Sequence, residues 1–143
     1  MLIFYKVMVL TILLSKVFGI YLVILGVACL ARRKYLSSVF AGFVDHRLLR
    51  MVIAIAELVA GLFLVITHQD WSNLAAGIIT FFGWAMTIEG VAYLFLSDRA
   101  VAKLFKVFNT KVWYIVGGLL SVVVGLYLIS IGWDLNWAAL IAA

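Results

Sequence analysis

Four long apolar stretches alternate with shorter polar connectors along this chain. They occupy residues 7–31, about 48–66, about 74–96 and about 112–131. A helix needs about 20 predominantly apolar residues to cross the hydrocarbon core of a bilayer, whereas a buried strand needs only about 4–8. The pattern therefore predicts an all-α integral membrane protein, with four transmembrane helices in a single transmembrane domain over residues 1–143.

Two of the connectors have the pattern of amphipathic helices. Apolar residues recur at helical spacing in residues 31–50 and again in residues 97–111, and basic residues occupy other positions. Such helices lie in the headgroup layer, where cations attract anionic lipid. We expect two interfacial helices that either anchor the chain or form a specific lipid or partner site. The residues expected to contact anionic lipid are Arg32, Arg33, Lys34, Arg99, Lys103 and Lys106.

The basic residues are distributed very unevenly between the connectors. Nine of the 11 lie in the two amphipathic connectors, while residues 67–73 and 132–143 contain no Lys or Arg. Cytoplasmic loops of membrane proteins carry an excess of Lys and Arg. This distribution predicts a multi-pass protein of the cell (inner) membrane with cytoplasmic basic connectors and both termini outside. Trp71, Trp133 and Trp137 then lie at the outer interface, where Trp is enriched.

The two halves of the chain align without a gap when the sequence is shifted by 64 residues. Glycines coincide at three positions, where Gly19, Gly26 and Gly61 meet Gly83, Gly90 and Gly125. This coincidence predicts a tandem repeat of two helical hairpins, with units at about residues 9–66 and 73–130. Each unit has two spans, so both copies have the same orientation, unlike the inverted repeats of many transporters.

Small residues recur along one face of each predicted span. Helices in lipid associate by close packing, so their interfaces favour Gly, Ala, Ser and Thr. We expect these faces to pack against one another in a left-handed bundle. The predicted helix-packing residues are Gly19, Gly26, Gly61, Gly83, Gly90, Gly118, Ser121 and Gly125.

The charged residues Lys16, Glu57 and Glu89 lie well inside the predicted spans. A charge at the bilayer centre costs about 2.5–3.5 kcal/mol, so such residues are candidates for function. Both glutamates lie roughly 10–12 Å from the cytoplasmic boundary, and they could meet to share a proton or bind a cation. The alternative is that they are neutral hydrogen-bonding groups that set helix register or contact another subunit. Lys16 is nearer the outer end, towards which its side chain can extend.

Motifs for catalysis or cofactor binding are absent from the sequence. Cys29 is the single cysteine, which excludes an internal disulfide and a multi-cysteine metal site. We find no nucleotide-binding glycine loop, no zinc-ligand spacing and no catalytic triad. We therefore expect a non-enzymatic protein without cofactors or nucleic-acid partners, acting as a structural or accessory subunit of a membrane complex or homo-oligomer. The alternative is a proton- or cation-coupled channel or transporter that uses Glu57 and Glu89, with Lys16 as a modulator.

The second half of the chain resembles the two-span bacterial inner-membrane proteins of the YjeT type. It has Ile88-Glu89-Gly90 in its first span, a basic amphipathic connector, and Gly125-Leu126-Tyr127-Leu128 in its second. Ser97-Asp98 stands where that family has a proline. The resemblance implies an inner-membrane hairpin and no particular activity. In its repeated two-span units and glycine–leucine pattern, the chain is also similar to the acid-resistance membrane proteins of the HdeD type.

Overall fold

The computed structural model describes residues 1–134, and these fold into six α-helices. The helices are α1 (Leu2–Ala31), α2 (Arg33–Asp45), α3 (Arg47–Thr67), α4 (Leu74–Phe95), α5 (Asp98–Phe108) and α6 (Lys111–Gly132). Helices α1, α3, α4 and α6 are long and apolar enough to cross a membrane, which indicates a multi-pass membrane protein. The prediction of an all-helical chain with four such helices is confirmed for the described part, while Trp137 lies outside it.

The helix boundaries follow local capping chemistry and apolar content. The side chain of Asn73 accepts a hydrogen bond from the Ala76 amide at 2.9 Å where α4 begins. Ser97 caps α5 in the same way through the Ala100 amide, at 3.3 Å. Helix α1 begins at Leu2 and so extends five residues before the predicted stretch, because no proline or glycine interrupts the preceding turn. Its 30 residues give it a length of about 45 Å.

The two connectors are helices, and they lie together at one end of the molecule. The ring of Phe43 in α2 packs against that of Phe105 in α5, with centroids 5.4 Å apart. Arg50 in α3 donates to the backbone carbonyl of Val44 at 2.7 Å and forms an ion pair with Asp98 at the start of α5. These contacts join α2, α3 and α5. We call this end, formed by α2 and α5, the basic end.

The four long helices pack as two pairs. Helix α1 runs along α6, and α3 runs along α4, whereas contacts between the two pairs are fewer. The pairs meet at a small apolar core of Leu22, Ala75 and Leu128. Beside this core, the rings of Phe18 and Phe82 stack with their centroids 5.7 Å apart. The last long helix therefore returns to pack against the first.

Glycines allow close approach of the backbones within each pair. A Cβ atom at Gly26 would lie 2.7 Å from the carbonyl oxygen of Gly118, and one at Gly61 would lie 2.5 Å from the backbone nitrogen of Thr87. Both distances are too short for a real side chain, so these positions require glycine. The other predicted packing glycines also lie at the pair interfaces: Gly19, Gly83, Gly90, Gly118 and Gly125. Ser121 joins them by donating to the carbonyl of Leu22 at 2.7 Å.

Candidate functional site: an acidic cavity at the basic end

The structure places Glu57 and Glu89 in the lining of the same cavity, which has a volume of about 510 Å³. Glu57 comes from α3 and Glu89 from α4, while α2 and α5 supply the other walls. The rest of the lining is apolar or aromatic, and consists of Val39, Phe40, Phe43, Leu49, Ile53, Tyr93, Leu104, Phe105 and Phe108. We call this space the acidic cavity.

The packing of α3 against α4 sets the relative height of the two carboxylates. Gly90, which follows Glu89, lies against Leu58, which follows Glu57. A Cβ atom at Gly90 would come within 2.8 Å of the Leu58 backbone nitrogen. One turn further along α3, Gly61 lies against Thr87. The glycine contacts therefore hold the two helices in the register that brings both glutamates into one cavity.

Glu89 has a hydrogen-bond partner within its own helix. The hydroxyl of Tyr93 donates to Glu89 Oε1 at 2.6 Å, four residues further along α4. The Tyr93 ring also packs edge-on against Phe43, with centroids 6.0 Å apart. Tyr93 was missed by the sequence reasoning, although its spacing of four residues from Glu89 was a usable signal.

Glu57 differs from Glu89 because part of its carboxylate has no partner. Its Oε2 atom is buried and makes no hydrogen bond with any residue of the described part. A buried polar atom without a partner is costly, and a buried ionised carboxylate is far more so. Such a group is stable when it carries a proton or meets a cation. This chemistry makes Glu57 the central residue of the candidate site.

The structure does not bring Lys16 to these carboxylates. The Nζ atom of Lys16 lies 5.1 Å from the centre of the Trp133 ring, beyond the end of α6 and away from the basic end. A lysine over a tryptophan face is stabilised by a cation–π interaction of about 0.5–2 kcal/mol. Gly132 leaves room for the lysine stem, since a Cβ atom there would lie 2.8 Å from Lys16 Cγ.

A second polar cluster lies at the end opposite the basic end. His68 is fully buried, with Nε2 at 2.8 Å from Thr11 Oγ1 and Nδ1 at 3.2 Å from Thr80 Oγ1. Burial lowers the pKa of His68 and outweighs the charge of Asp70 and a backbone hydrogen bond, which both raise it. The burial of His68 depends in part on Thr11 of α1, which is remote in sequence.

The basic residues of the two connectors occupy two kinds of environment. Arg33 and Lys34 line a cleft at the basic end, whereas Arg99, Lys103 and Lys106 are exposed on α5. The guanidinium of Arg32 lies 4.6 Å from the centre of the Tyr35 ring. Within residues 1–134, no group of three or more His, Cys, Asp or Glu side chains is placed to hold a metal ion.

Comparison with known proteins gives no match, whether with models of protein families, with curated proteins or with solved structures. The two resemblances drawn from the sequence therefore stay predictions.

Proposed function

We propose that this is a non-enzymatic integral membrane protein whose Glu57–Glu89 pair takes up and releases a proton or a cation. The observation that carries this proposal is the buried Oε2 of Glu57, which has no partner in the described chain and belongs to a group lining an apolar cavity. A carboxylate that served only to set helix register would be expected to bond to a neighbouring helix. Such a site suits a subunit of a proton- or cation-coupled channel or transporter.

The proposed placement is in the cell membrane, with the basic end in the cytoplasm and both termini outside. The concentration of Lys and Arg in the two connectors supports this orientation. Ser38 and Ser72 are exposed and belong to opposite ends of the molecule. In a Cys29→Ser background, we expect Ser72→Cys to react with an impermeant thiol reagent in intact cells, and Ser38→Cys only after lysis. The reverse pattern would invert the proposed topology.

We further propose that the two halves, at about residues 9–66 and 73–130, are copies of one hairpin. Supporting this, the contacts of Gly19 with Gly125 and of Gly83 with Gly61 exchange under the 64-residue shift. The same holds for Gly26 against Val122 and Gly90 against Leu58. The first long helix of each half packs against the second long helix of the other.

A conduction path would require more than one copy of the chain or an additional subunit, because the long helices pack tightly in pairs. A structural or accessory subunit is therefore the second candidate function. The exposed aromatic face of α4 favours it, since Phe81 and Trp84 are 62% and 44% exposed. Mass measurement in mild detergent shows whether the protein forms a homo-oligomer or associates with another subunit. A strict monomer that carries no other protein would count against both candidate functions.

The central test is flux through liposomes that contain the purified protein. We expect Glu57→Gln and Glu89→Gln to reduce proton or cation flux to the level of empty liposomes, with unchanged helix content. Asp45→Asn is the matched control, because Asp45 is an exposed acid outside the acidic cavity. Infrared spectra should also show a protonated carboxyl band that disappears in Glu57→Gln. Wild-type flux in both glutamine variants, with no such band, would overturn the proposal.

A further inference from the structure

A second cleft at the basic end has the chemistry of an anion site. Arg33 and Lys34 at the start of α2 and Lys111 at the start of α6 line it, and its volume is about 360 Å³. The rest of its lining is made of hydroxyl and amide side chains, namely Ser37, Asn109, Thr110 and Tyr114. The residues that line it within the described chain include no Asp or Glu. We call it the cationic cleft.

Hydrogen bonds join three of the side chains that line the cationic cleft. The hydroxyl of Ser37 donates to Asn109 Oδ1 at 2.9 Å, and the hydroxyl of Tyr114 donates to the same oxygen at 2.8 Å. Because this oxygen accepts both bonds, the amide nitrogen of Asn109 keeps its role as a donor. Three cations and several donors in one cleft are complementary to a phosphate group.

An apolar cavity of about 270 Å³ adjoins the cationic cleft and shares two lining residues with it, Asn109 and Tyr114. Its other walls include Phe40, Phe108 and Trp113. Gly117 also lines it, and a Cβ atom there would have no neighbour within 4 Å. A polar compartment and an apolar one thus meet at a common wall.

We propose that the two compartments together bind one anionic phospholipid, with its phosphate in the cationic cleft and part of an acyl chain in the apolar cavity. A free phosphate ion would leave the apolar compartment unused, and an uncharged lipid would leave the three cations without a counter-charge. Charge complementarity and the shared wall therefore select an anionic amphiphile. The apolar cavity shares the side chains of Phe40, Phe105 and Phe108 with the acidic cavity, but neither Glu57 nor Glu89 lines it. The lipid proposal does not depend on the proposed function of the two glutamates.

Native mass spectrometry of the full chain in detergent tests the headgroup half. We expect one phosphatidylglycerol to bind the wild type, and phosphatidylcholine or inorganic phosphate to bind at least about tenfold more weakly. Arg33→Gln/Lys34→Gln/Lys111→Gln should weaken phosphatidylglycerol binding by at least about tenfold, because each cation near an anionic headgroup adds to the attraction. The matched control is Arg99→Gln/Lys103→Gln/Lys106→Gln, which removes the same charge from α5 outside the cleft. It should lose the general attraction of α5 for anionic headgroups but keep the single lipid bound in the cleft. Equal losses in the two triple variants, or equal binding of the two lipids, would overturn the proposal.

A second variant tests the acyl half without altering any charge. Gly117→Leu should fill the apolar cavity and weaken phosphatidylglycerol binding, while the melting temperature of the lipid-free protein stays close to that of the wild type. Gly42→Leu is its control, because Gly42 also has open space around it but lines neither compartment. Undiminished lipid binding by Gly117→Leu, or binding of inorganic phosphate as tight as that of the lipid, would reduce the cleft to a simple anion site and refute the two-part site.

Discussion

The acidic cavity and the apolar cavity beside the cationic cleft lie at places related by the 64-residue shift, yet their chemistry differs. Under the 64-residue shift, Leu49, Ile53, Tyr93 and Leu104 of the first correspond to Trp113, Gly117, Cys29 and Phe40 of the second. The positions of Glu57 and Glu89, however, are taken by Ser121 and Leu25. Neither Ser121 nor Leu25 lines the second cavity, so one cavity has two carboxylates that its counterpart lacks.

The comparison shows that helix packing and site chemistry are set by different residues in this fold. Ser121 is short and satisfies its hydroxyl at once by donating to the Leu22 carbonyl. Glu57 is longer and lines the cavity, and its buried Oε2 has no partner within residues 1–134. The glycine contacts around both positions are alike. A functional group can therefore be present in the α3–α4 pair and absent from the α1–α6 pair without a change in how the helices pack.

The two helix pairs differ in a similar way at the end opposite the basic end. His68 at the end of α3 contacts Thr80 in α4, and the corresponding contact joins Gly132 in α6 to Lys16 in α1. The first pair is a buried neutral imidazole with a hydroxyl, and the second is a lysine stem packed on a glycine. Four predictions examine how far this correspondence between the halves extends.

The largest effect is expected at the glycine contacts. Gly61→Val and Gly125→Val would each place a Cβ within 2.5–2.8 Å of backbone atoms of the partner helix, so each should destabilise the fold by about 1–3 kcal/mol or more. Thermal unfolding in detergent measures this. The control is Gly117→Ala, where the space is open and stability should be retained. A large loss for only one of the two valine variants would show that the halves are not held together equivalently.

The next effect concerns the links between connectors and long helices. Arg50→Gln removes the ion pair with Asp98 and a bond to Val44, and should cost about 1–2 kcal/mol, because Asp98 is largely exposed and screened. Its counterpart, Tyr114→Phe, loses one bond to Asn109 and should cost about 1 kcal/mol. Equilibrium unfolding of both variants, with Asp45→Asn as the control, gives the comparison. A larger loss for Tyr114→Phe would contradict this ranking.

Substitutions at the corresponding positions 57 and 121 should change the stability of the fold in opposite directions. Glu57→Ser removes a buried oxygen without a partner, so stability should rise by about 1 kcal/mol even as flux is lost. Ser121→Ala removes a bond to Leu22 and should lower stability by about 0.5–1.5 kcal/mol. Both are measured by unfolding in mixed micelles. A destabilised Glu57→Ser would mean that the carboxylate has a structural role, as the second candidate function requires.

The smallest effect is a pH dependence from His68. Its pKa is lower in the folded state, so between that value and the unfolded value of about 6.5 the unfolded chain binds more protons. The contribution of His68 is therefore fully present above about pH 6.5 and is lost as the pH falls through the folded pKa. Melting temperatures at a series of pH values should show this slope in the wild type and in His46→Gln, whose imidazole is exposed, but not in His68→Gln. A slope that persists in His68→Gln would assign it to other groups.

The sequence predicts the helices well because their signals are local. Apolar runs locate α3, α4 and α6 to within one residue at each end, and periodicity in the connectors indicates α2 and α5. Helix α1 contains the predicted stretch of residues 7–31 and begins five residues earlier, because the polar Lys6 ends the apolar stretch but does not end the helix. Equal depth along α3 and α4 was also enough to suggest that Glu57 and Glu89 could meet.

Local sequence signals do not predict which helices pack against each other. A stripe of small residues indicates that a helix has a face for close contact but not which helix will contact it. The burial of His68 by α1, the ion pair between Arg50 and Asp98, and the unpartnered Oε2 of Glu57 all depend on that choice. These features join residues that are distant along the chain, and only the assembled fold reveals them.

Each half pairs its long helices with those of the other half, α1 with α6 and α3 with α4. This pairing affects which substitutions such a protein can accept. A membrane protein assembled from two identical hairpins must repeat every substitution, so that an acid placed in one cavity is forced on the other as well. Joining the hairpins in one chain removes that constraint, while the interleaved helices keep the frame intact. Each cavity can then change its chemistry independently, so that one frame carries an acidic cavity at one place and an apolar cavity at the corresponding place.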